Sequence, residues 1–230
     1  MPANRHRARV FIVVPAFNEA RTIRGVVEEL LGRYPNVVVV DDDSTDGTRE
    51  CLLNSGALVL RHCANRGQGA SLQTGIEFAL QRKAEAIVTF DADGQHDVGD
   101  IAALIQPLFD GECDVTLGSR FLGRTSNMPL TRRLLLKLGV LFTLLVSRVR
   151  ATDVHNGLRA FSARAASELS IRMDRMAHAS EIFDQIRVHD WRYKEIPVTI
   201  RYTNYSLAKG QTSGDALRIA FQVLLEKLRR

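Results

Sequence analysis

"VTFDADGQHD", residues 88–97, passes from an apolar stretch ending at Phe90 into three carboxylates, Asp91, Asp93 and Asp97, with Gln95 and His96 among them. A short apolar run stopping abruptly in acids reads as a strand buried up to Phe90, its carboxyl end opening on a ligand crevice. Oxygen ligands from Asp91, Asp93 and Gln95 suit a hard divalent cation such as Mg²⁺ or Mn²⁺, which keeps positions open for phosphate oxygens. A diphosphate brought to these acids would otherwise be repelled, and a bridging cation reverses that sign. Asp97 reads instead as the N-terminal cap of a following helix, and His96 as a hydrogen-bonding residue rather than a ligand.

Working outward, the same form recurs. "VFIVV" (10–14), "VVVVD" (37–41), "ALVLR" (57–61), "AIVTF" (86–90) and "DVTLG" (114–118) alternate with amphipathic stretches near 19–33, 46–55, 68–83 and 98–109. Unalternated, Val-rich runs read as strands covered on both faces, and the succession predicts a doubly wound, mainly parallel α/β sheet with helices on both faces. Ligands in such sheets sit beyond the carboxyl ends of the strands. The segments to inspect are therefore "PAFNE", "DDDSTDGT", "NRGQG", "DADGQHD" and "GSRF".

In "VVVVDDDSTDGT" three consecutive carboxylates exceed what capping needs, so Asp42 is the candidate acceptor for a nucleobase N–H. Ser44 or Thr45 reads as an N-cap and Asp46 as a first-turn acid. "VVPAFNE" turns at Pro15, sends Asn18 and Glu19 toward the crevice and offers Phe17 to a base or ribose. "NRGQG" places Gly67 and Gly69 before a helix, where backbone N–H groups can meet a ligand, but it matches neither the P-loop nor G-x-G-x-x-G. Arg120 of "GSRF" suits a phosphate, or serves as a structural partner of the acidic cluster.

The chain has 230 residues, 45% of them hydrophobic and 25% charged. That is enough for a full core in one domain spanning 1–230, with residues 1–8 a basic arm. The net charge of +5 favours anionic partners. Three isolated cysteines, Cys51, Cys63 and Cys113, argue against a disulfide framework and for a reducing, cytosolic setting. No cleavable leader is evident at the start.

Beyond residue 125 the pattern changes. "LLLKLGVLFTLLVS" (134–147) is too short and too charged to span a bilayer, and with Leu130, Arg132, Arg133, Lys137, Arg148 and Arg150 it reads as an interfacial helix over 130–150, or as an ordinary buried one. "DVHNGLRAF" reads as a turn and strand, with Asp153, Asn156 and Arg159 as acceptor-side candidates. "YKEIPVTIRY" is a further strand. Glu181 either touches the donor sugar or pairs with a cation, and Arg201, Ser206 and Lys209 lie in a Gly-containing loop. The segment 215–230 forms an amphipathic helix whose stripe of Leu217, Phe221, Leu224 and Leu228 binds membrane, a second subunit, an integral-membrane partner or the domain's own flank.

Taken in order, "VVPAFNE", "VVVVDDDSTDGT", "NRGQG", "DADGQHD" and "GSRF" resemble glycosyltransferase family 2, in particular its dolichyl-phosphate mannose synthase and bacterial polyprenyl-phosphate branch. The resemblance is strong over about residues 9–165 and looser beyond. It implies the Rossmann-like GT-A fold, a GDP- or UDP-linked sugar donor, a divalent cation and inversion at the anomeric carbon. By position it assigns Pro15, Phe17, Glu19 and Asp42, with Gly69, Asp91 and Ala92, to the donor. Asp91, Asp93 and Gln95 are assigned to the metal diphosphate, and Arg120 to the acceptor phosphate. Phe17 departs from the Tyr frequent in relatives, losing a hydroxyl but keeping a stacking face.

No Q-x-x-R-W follows, which disfavours a processive polysaccharide synthase. A polyprenyl (dolichyl or undecaprenyl) phosphate is already anionic, so the catalytic task becomes positioning and charge neutralisation by Arg120, Arg132, Arg133 and the Asp93-bound cation. The expected setting is peripheral, on the cytosolic face of a membrane. Transfer to a non-lipid hydroxyl and a noncatalytic nucleotide-sugar-binding scaffold are the alternatives. Nucleic acid is disfavoured because the basic residues cluster around apolar helices rather than with stacking aromatics.

Overall fold

The computed structural model describes residues 9–147, 149–172 and 178–203. The arm 1–8, Arg148, Ser206, Lys209 and the helix expected over 215–230 lie outside the described residues.

Seven strands form one sheet in the order β3-β2-β1-β4-β6-β5-β7. They are β1 (Val10–Ala16), β2 (Asn36–Asp41), β3 (Leu58–Arg61), β4 (Ala86–Thr89), β5 (Val115–Ser126), β6 (Arg159–Ser162) and β7 (Tyr193–Arg201). All neighbours pair in parallel except β6, which runs antiparallel to both β4 and β5. Because β6 reverses direction between them, β4 and β5 still point the same way and deliver their carboxyl ends to one side.

The Val-rich strands are buried by a two-residue alternation serving both faces. Val10, Ile12 and Val14 of β1 pack with α1 (Ile23–Leu31), which contributes Ile23, Val27 and Leu30. Phe11 and Val13 face the other way, sharing a cluster with Leu72 and Ile76 of α3 (Gln68–Gln81) and with Phe183. Each such Val, Leu or Ile buried from water is worth about 1.5–3 kcal/mol. A short α2 (Thr48–Leu52) precedes α3. After β4 come a 3₁₀ turn (Val98–Asp100) and α4 (Ile101–Phe109), followed by α5 (Leu130–Ser147), α6 (Ala163–Glu168) and α7 (His178–Val188).

Three expectations are corrected. β3 is an edge strand with Val59 41% exposed, so it is not covered on both faces. β5 continues to Ser126, well past "DVTLG", because β7 pairs with its far half. Neither Ser44 nor Thr45 caps α2: the N-cap is Gly47, and Asp46 receives the Thr48 N–H, while Ser44 accepts from the Asn18 N–H. The cap expected of Asp97 is present, its carboxylate accepting the Gly99 N–H at 2.8 Å.

Candidate active site

The carboxyl ends of β1, β2 and β4, together with the middle of β5, α5 and the end of β7, line a cavity of about 630 Å³. From Asp42 after β2 to Arg120 in β5 is four strand steps, about 19 Å at the usual interstrand spacing.

At the β4 end, Asp91 is held from two sides. Its Oδ1 accepts the Gln68 amide at 3.0 Å, and its Oδ2 lies 3.0 Å from His96 Nε2. Behind it stands Gly157, where a Cβ would overlap the Asp91 carboxylate, so a side chain there would displace the acid. Burial pushes the Asp91 pKa up, but the His96 bond and the charges of His178 and Arg159 outweigh it and hold the group below the usual carboxylate range. Asp93 is the converse. Burial, reinforced by the charge on Asp91, pushes it up to about 6 even though it accepts the Gln95 N–H at 3.0 Å. Two carboxylates in mutual repulsion beside the buried Gln95 fit a hard, oxygen-preferring dication. Among the described residues no three His, Cys, Asp or Glu side chains form a ligand cluster.

At the β1 and β2 ends, Phe17 is 43% exposed over the cavity while Glu19 is buried. The Glu19 N–H is fixed by the Thr48 hydroxyl at 2.7 Å, tying the "AFNE" turn to α2. Asp42 is buried in the cavity wall and accepts the backbone N–H groups of Arg66 and Gly67 at 2.9 and 2.6 Å. It thereby folds the "NRGQG" loop against β2.

The opposite end is basic. β5 and β7 shift register between Ser119 and Arg124, opposite Pro197, and Arg120 projects from that irregularity. Arg120 is buried, donating from Nε to Asp153 at 2.5 Å and from Nη1 to the Tyr202 hydroxyl at 2.6 Å. It is thus both a structural ion-pair partner and a cavity residue. Burial lowers its pKa, but Asp153 and Tyr202 more than compensate. Arg132 of α5 lies 5.1 Å over the Tyr202 ring and also lines the cavity. His155, whose buried Nδ1 has no partner among the described residues, and Arg159, which β6 sets beside Thr89 of β4, also line the cavity. Burial pulls His155 down to about 4 and Arg159 to about 10, leaving the first neutral and the second charged at neutral pH.

Of the residues singled out in the sequence, Pro15, Phe17, Glu19, Asp42, Asp91, Ala92, Asp93, Gln95, Arg120 and Arg132 line the cavity. Two do not. Gly69 is buried inside α3, and the residue at the wall is Gly67. Arg133 is exposed on α5, because a helix turns by about 100° per residue and the one after Arg132 leaves that face. Of the acceptor-side candidates, Asp153 is spent on Arg120, Asn156 accepts the Leu158 N–H, and Arg159 reaches the cavity. Glu181 accepts the Arg172 N–H at 2.9 Å. Residues the sequence reading passed over include Gln68, His155, Gly157, His178 and Tyr202. Gln68, His155, Gly157 and Tyr202 stood inside stretches already read as strand, turn or loop, but nothing in those stretches marked them out.

The glycosyl transferase family 2 profile matches residues 11–169. An uncharacterized protein of Methanocaldococcus jannaschii is 39% identical over 97% of this chain and 94% of its own. The UDP-N-acetylglucosamine–dolichyl-phosphate N-acetylglucosaminyltransferase of Methanococcus voltae is 33% identical over 95% and 96%. The polyprenol monophosphomannose synthase of Mycolicibacterium smegmatis is 26% identical over 92% and 84%. Among solved structures, glucosyl-3-phosphoglycerate synthase of Mycobacterium tuberculosis superposes with a TM-score of 0.74 at 16% identity, covering 96% of this chain and 79% of that one, which shows the shared GT-A fold. With its strand-end acids, its parallel-sheet scaffold and a family match over most of its length, the chain belongs to glycosyltransferase family 2.

Proposed function

We propose that this glycosyltransferase moves one sugar from a GDP- or UDP-linked donor to a polyprenyl phosphate, with inversion, at the cytosolic face of a membrane. The observation that carries the reading is the asymmetry of the cavity. Its carboxylates, Glu19, Asp42, Asp91 and Asp93, all come from the ends of β1, β2 and β4. Among the described residues lining the cavity away from those acids stand Arg120 and Arg132, with Arg159 between; none is a carboxylate, and His155 beside them, pulled down to about 4 by burial, is too weak for an effective general base. A hydroxyl nucleophile needs such a base, whereas a phosphate oxygen is already anionic and needs cations to position it.

In this reading a phosphate oxygen attacks the anomeric carbon as that carbon's bond to the donor diphosphate breaks from the opposite face. Arg120 and Arg132 hold the incoming phosphate. Asp153 and Tyr202 hold Arg120, and Tyr202 also provides the ring over which Arg132 lies. A Mg²⁺ or Mn²⁺ ion held by Asp91, Asp93 and Gln95 would neutralise the departing diphosphate. Pro15, Phe17, Glu19 and Asp42 enclose the nucleoside. The names of relatives support the lipid-phosphate acceptor, three of them being dolichyl-, polyprenol- and undecaprenyl-linked transferases. Solved relatives in this fold bind Mn²⁺ with UDP, which supports the metal.

Membrane attachment is part of the proposal. Leu130, Leu134, Leu138, Leu141 and Leu144 are exposed on α5. At 100° per residue they fall within roughly a third of its circumference. Arg133 borders this stripe and Lys137 falls within it, between Leu144 and Leu130, so the stripe would enter the acyl layer while both cations reach back along their apolar stems to lipid phosphates. No helix among the described residues is long and apolar enough to cross a bilayer. Arg133, expected to be catalytic, is reassigned by this reading to headgroups.

The test is a donor panel offered to the full chain with Mg²⁺ or Mn²⁺ and polyprenyl phosphate in detergent. The expected product is a lipid-linked monosaccharide from one donor. No transfer from any donor overturns the proposal, and equal transfer to the matching polyprenol replaces it with the hydroxyl-acceptor reading.

A further inference from the structure

We infer that His155 is a third residue of the acceptor site, donating the hydrogen on its Nε2 to an oxygen of the acceptor phosphate. The inference rests on the lipid-phosphate reading above and adds a residue to it. The backbone N–H of His155 is held by Asp153 Oδ1 at 3.3 Å, while Oδ2 of the same carboxylate takes Arg120 Nε at 2.5 Å. One acid therefore sets the histidine beside the guanidinium. Two residues further on, Gly157 lies against Asp91, so the 153–157 turn crosses from the acceptor arginine to the metal acid with His155 between them. The ring rests against Gly139 of α5, where an added Cβ would come within 2.5 Å of Cε1 and 3.1 Å of Nδ1. Gly139 follows Leu136, Leu135 and Arg132 by three, four and seven residues, which puts it on the face of α5 that lines the cavity. No side chain at 139 would leave the imidazole where it is.

The chemistry of the ring follows from its surroundings. Nδ1 is buried with no partner among the described residues. A buried N–H without an acceptor is the rarer and costlier orphan, so the proton sits on Nε2 and Nδ1 keeps a lone pair. Nε2 is the nitrogen left for the cavity, and it too has no partner among the described residues. Burial, with the charges of Arg120 and Arg159, outweighs Asp153 and keeps the free ring neutral. It thus offers a donor without adding a further positive charge to an end already holding guanidiniums. A phosphate monoester suits that donor, since its oxygens accept only and outnumber the one that attacks. A sugar hydroxyl of the donor would also accept an N–H, so acceptor and donor effects must be measured apart.

The experiment is steady-state transfer by the full chain, in saturating Mn²⁺, from its active donor to a short polyprenyl phosphate, repeated with His155→Ala and His155→Gln. His155→Ala should raise the acceptor KM at least about tenfold, the worth of one hydrogen bond to a charged group, with the donor KM unchanged. His155→Gln, whose amide carries an N–H at about the reach of Nε2, should recover most of that loss. An unchanged acceptor KM in a folded His155→Ala chain overturns the inference while leaving the lipid-phosphate reading intact. An equal rise in the donor KM, or no recovery in a folded His155→Gln chain, also overturns it. No transfer to polyprenyl phosphate by the unaltered chain overturns the lipid-phosphate reading together with it. Should the variants not fold, carbethoxylation of His155 in the unaltered chain by diethyl pyrocarbonate, mapped by mass spectrometry, decides. The short polyprenyl phosphate should suppress the modification and the matching polyprenol should not, and equal modification with and without the phosphate overturns the inference.

Discussion

The two ends of the cavity are built differently. At the acidic end, Glu19, Asp42, Asp91 and Asp93 each sit within a few residues of a strand's carboxyl end and are fixed by neighbours such as Thr48, the 66–67 backbone and Gln68. At the basic end, one guanidinium is held by partners 33 and 82 residues away, Asp153 and Tyr202. Strand ends are a local product of chain direction, whereas the basic end exists only once β5, β7, α5 and the 153–157 turn have come together. Damage to the acidic end should therefore remove chemistry and spare the fold, and damage to the basic end should often cost both.

The largest expected effect is at the acidic end. Asp93→Ala should lower kcat by about 10³ or more, comparable to losing a principal transition-state charge stabiliser, with the melting temperature little changed. A variant with near-normal turnover would break the comparison. At the basic end Arg120→Ala should destabilise the chain by about 3–5 kcal/mol, because it leaves Asp153 buried without its partner. Arg132→Ala, which strands no ion pair found among the described residues, should instead raise the acceptor KM with stability unchanged. Thermal melts beside acceptor titrations separate the two, and identical behaviour would show that Arg120 is not structural.

A subtler difference concerns protons. With its folded pKa pushed up to about 6 from 3.8, Asp93 binds a proton more readily folded than unfolded. Its contribution to the stability of the metal-free chain is therefore present at low pH and lost as pH rises through about 6. Metal binding must displace that proton, so Mn²⁺ affinity should fall about tenfold per unit below pH 6. A flat profile from pH 7 to 5 would contradict the assignment of Asp93. Smallest is the effect on the outer face of α5. Leu134→Asp with Leu138→Asp should abolish sedimentation with anionic vesicles yet leave turnover on a short, detergent-soluble acceptor within a few-fold. Unchanged vesicle binding would remove α5 from the membrane account.

The same contrast explains what could be read beforehand. The acidic end was legible because "VVVVDD" and "VTFDAD" carry both the strand and the acid in one string. Gly157 and Tyr202 left no such trace: the first matters through its closeness to Asp91, the second through its hydroxyl meeting Arg120 of β5, 82 residues away. Gly69 was misplaced for a related reason. The turn that meets the cavity is set by Asp42 gripping the Gly67 N–H, and spacing alone could not choose between the two glycines. Helical phase gave Arg132 to the cavity and Arg133 to solvent, a distinction visible only once α5 is docked. β3 was read as covered because its apolar letters match those of β2, but its position at the sheet edge leaves Val59 exposed.

The central claim is that Asp91 and Asp93 hold a divalent ion that in turn holds the donor's diphosphate. Titrating a nucleoside diphosphate into the full chain with and without Mn²⁺, and again with Asp93→Asn, tests it most directly. The account predicts that Mn²⁺ tightens binding at least about tenfold in the unaltered chain and has no such effect in the variant. Equal affinity with and without the metal, or an unchanged metal effect in Asp93→Asn, would contradict it.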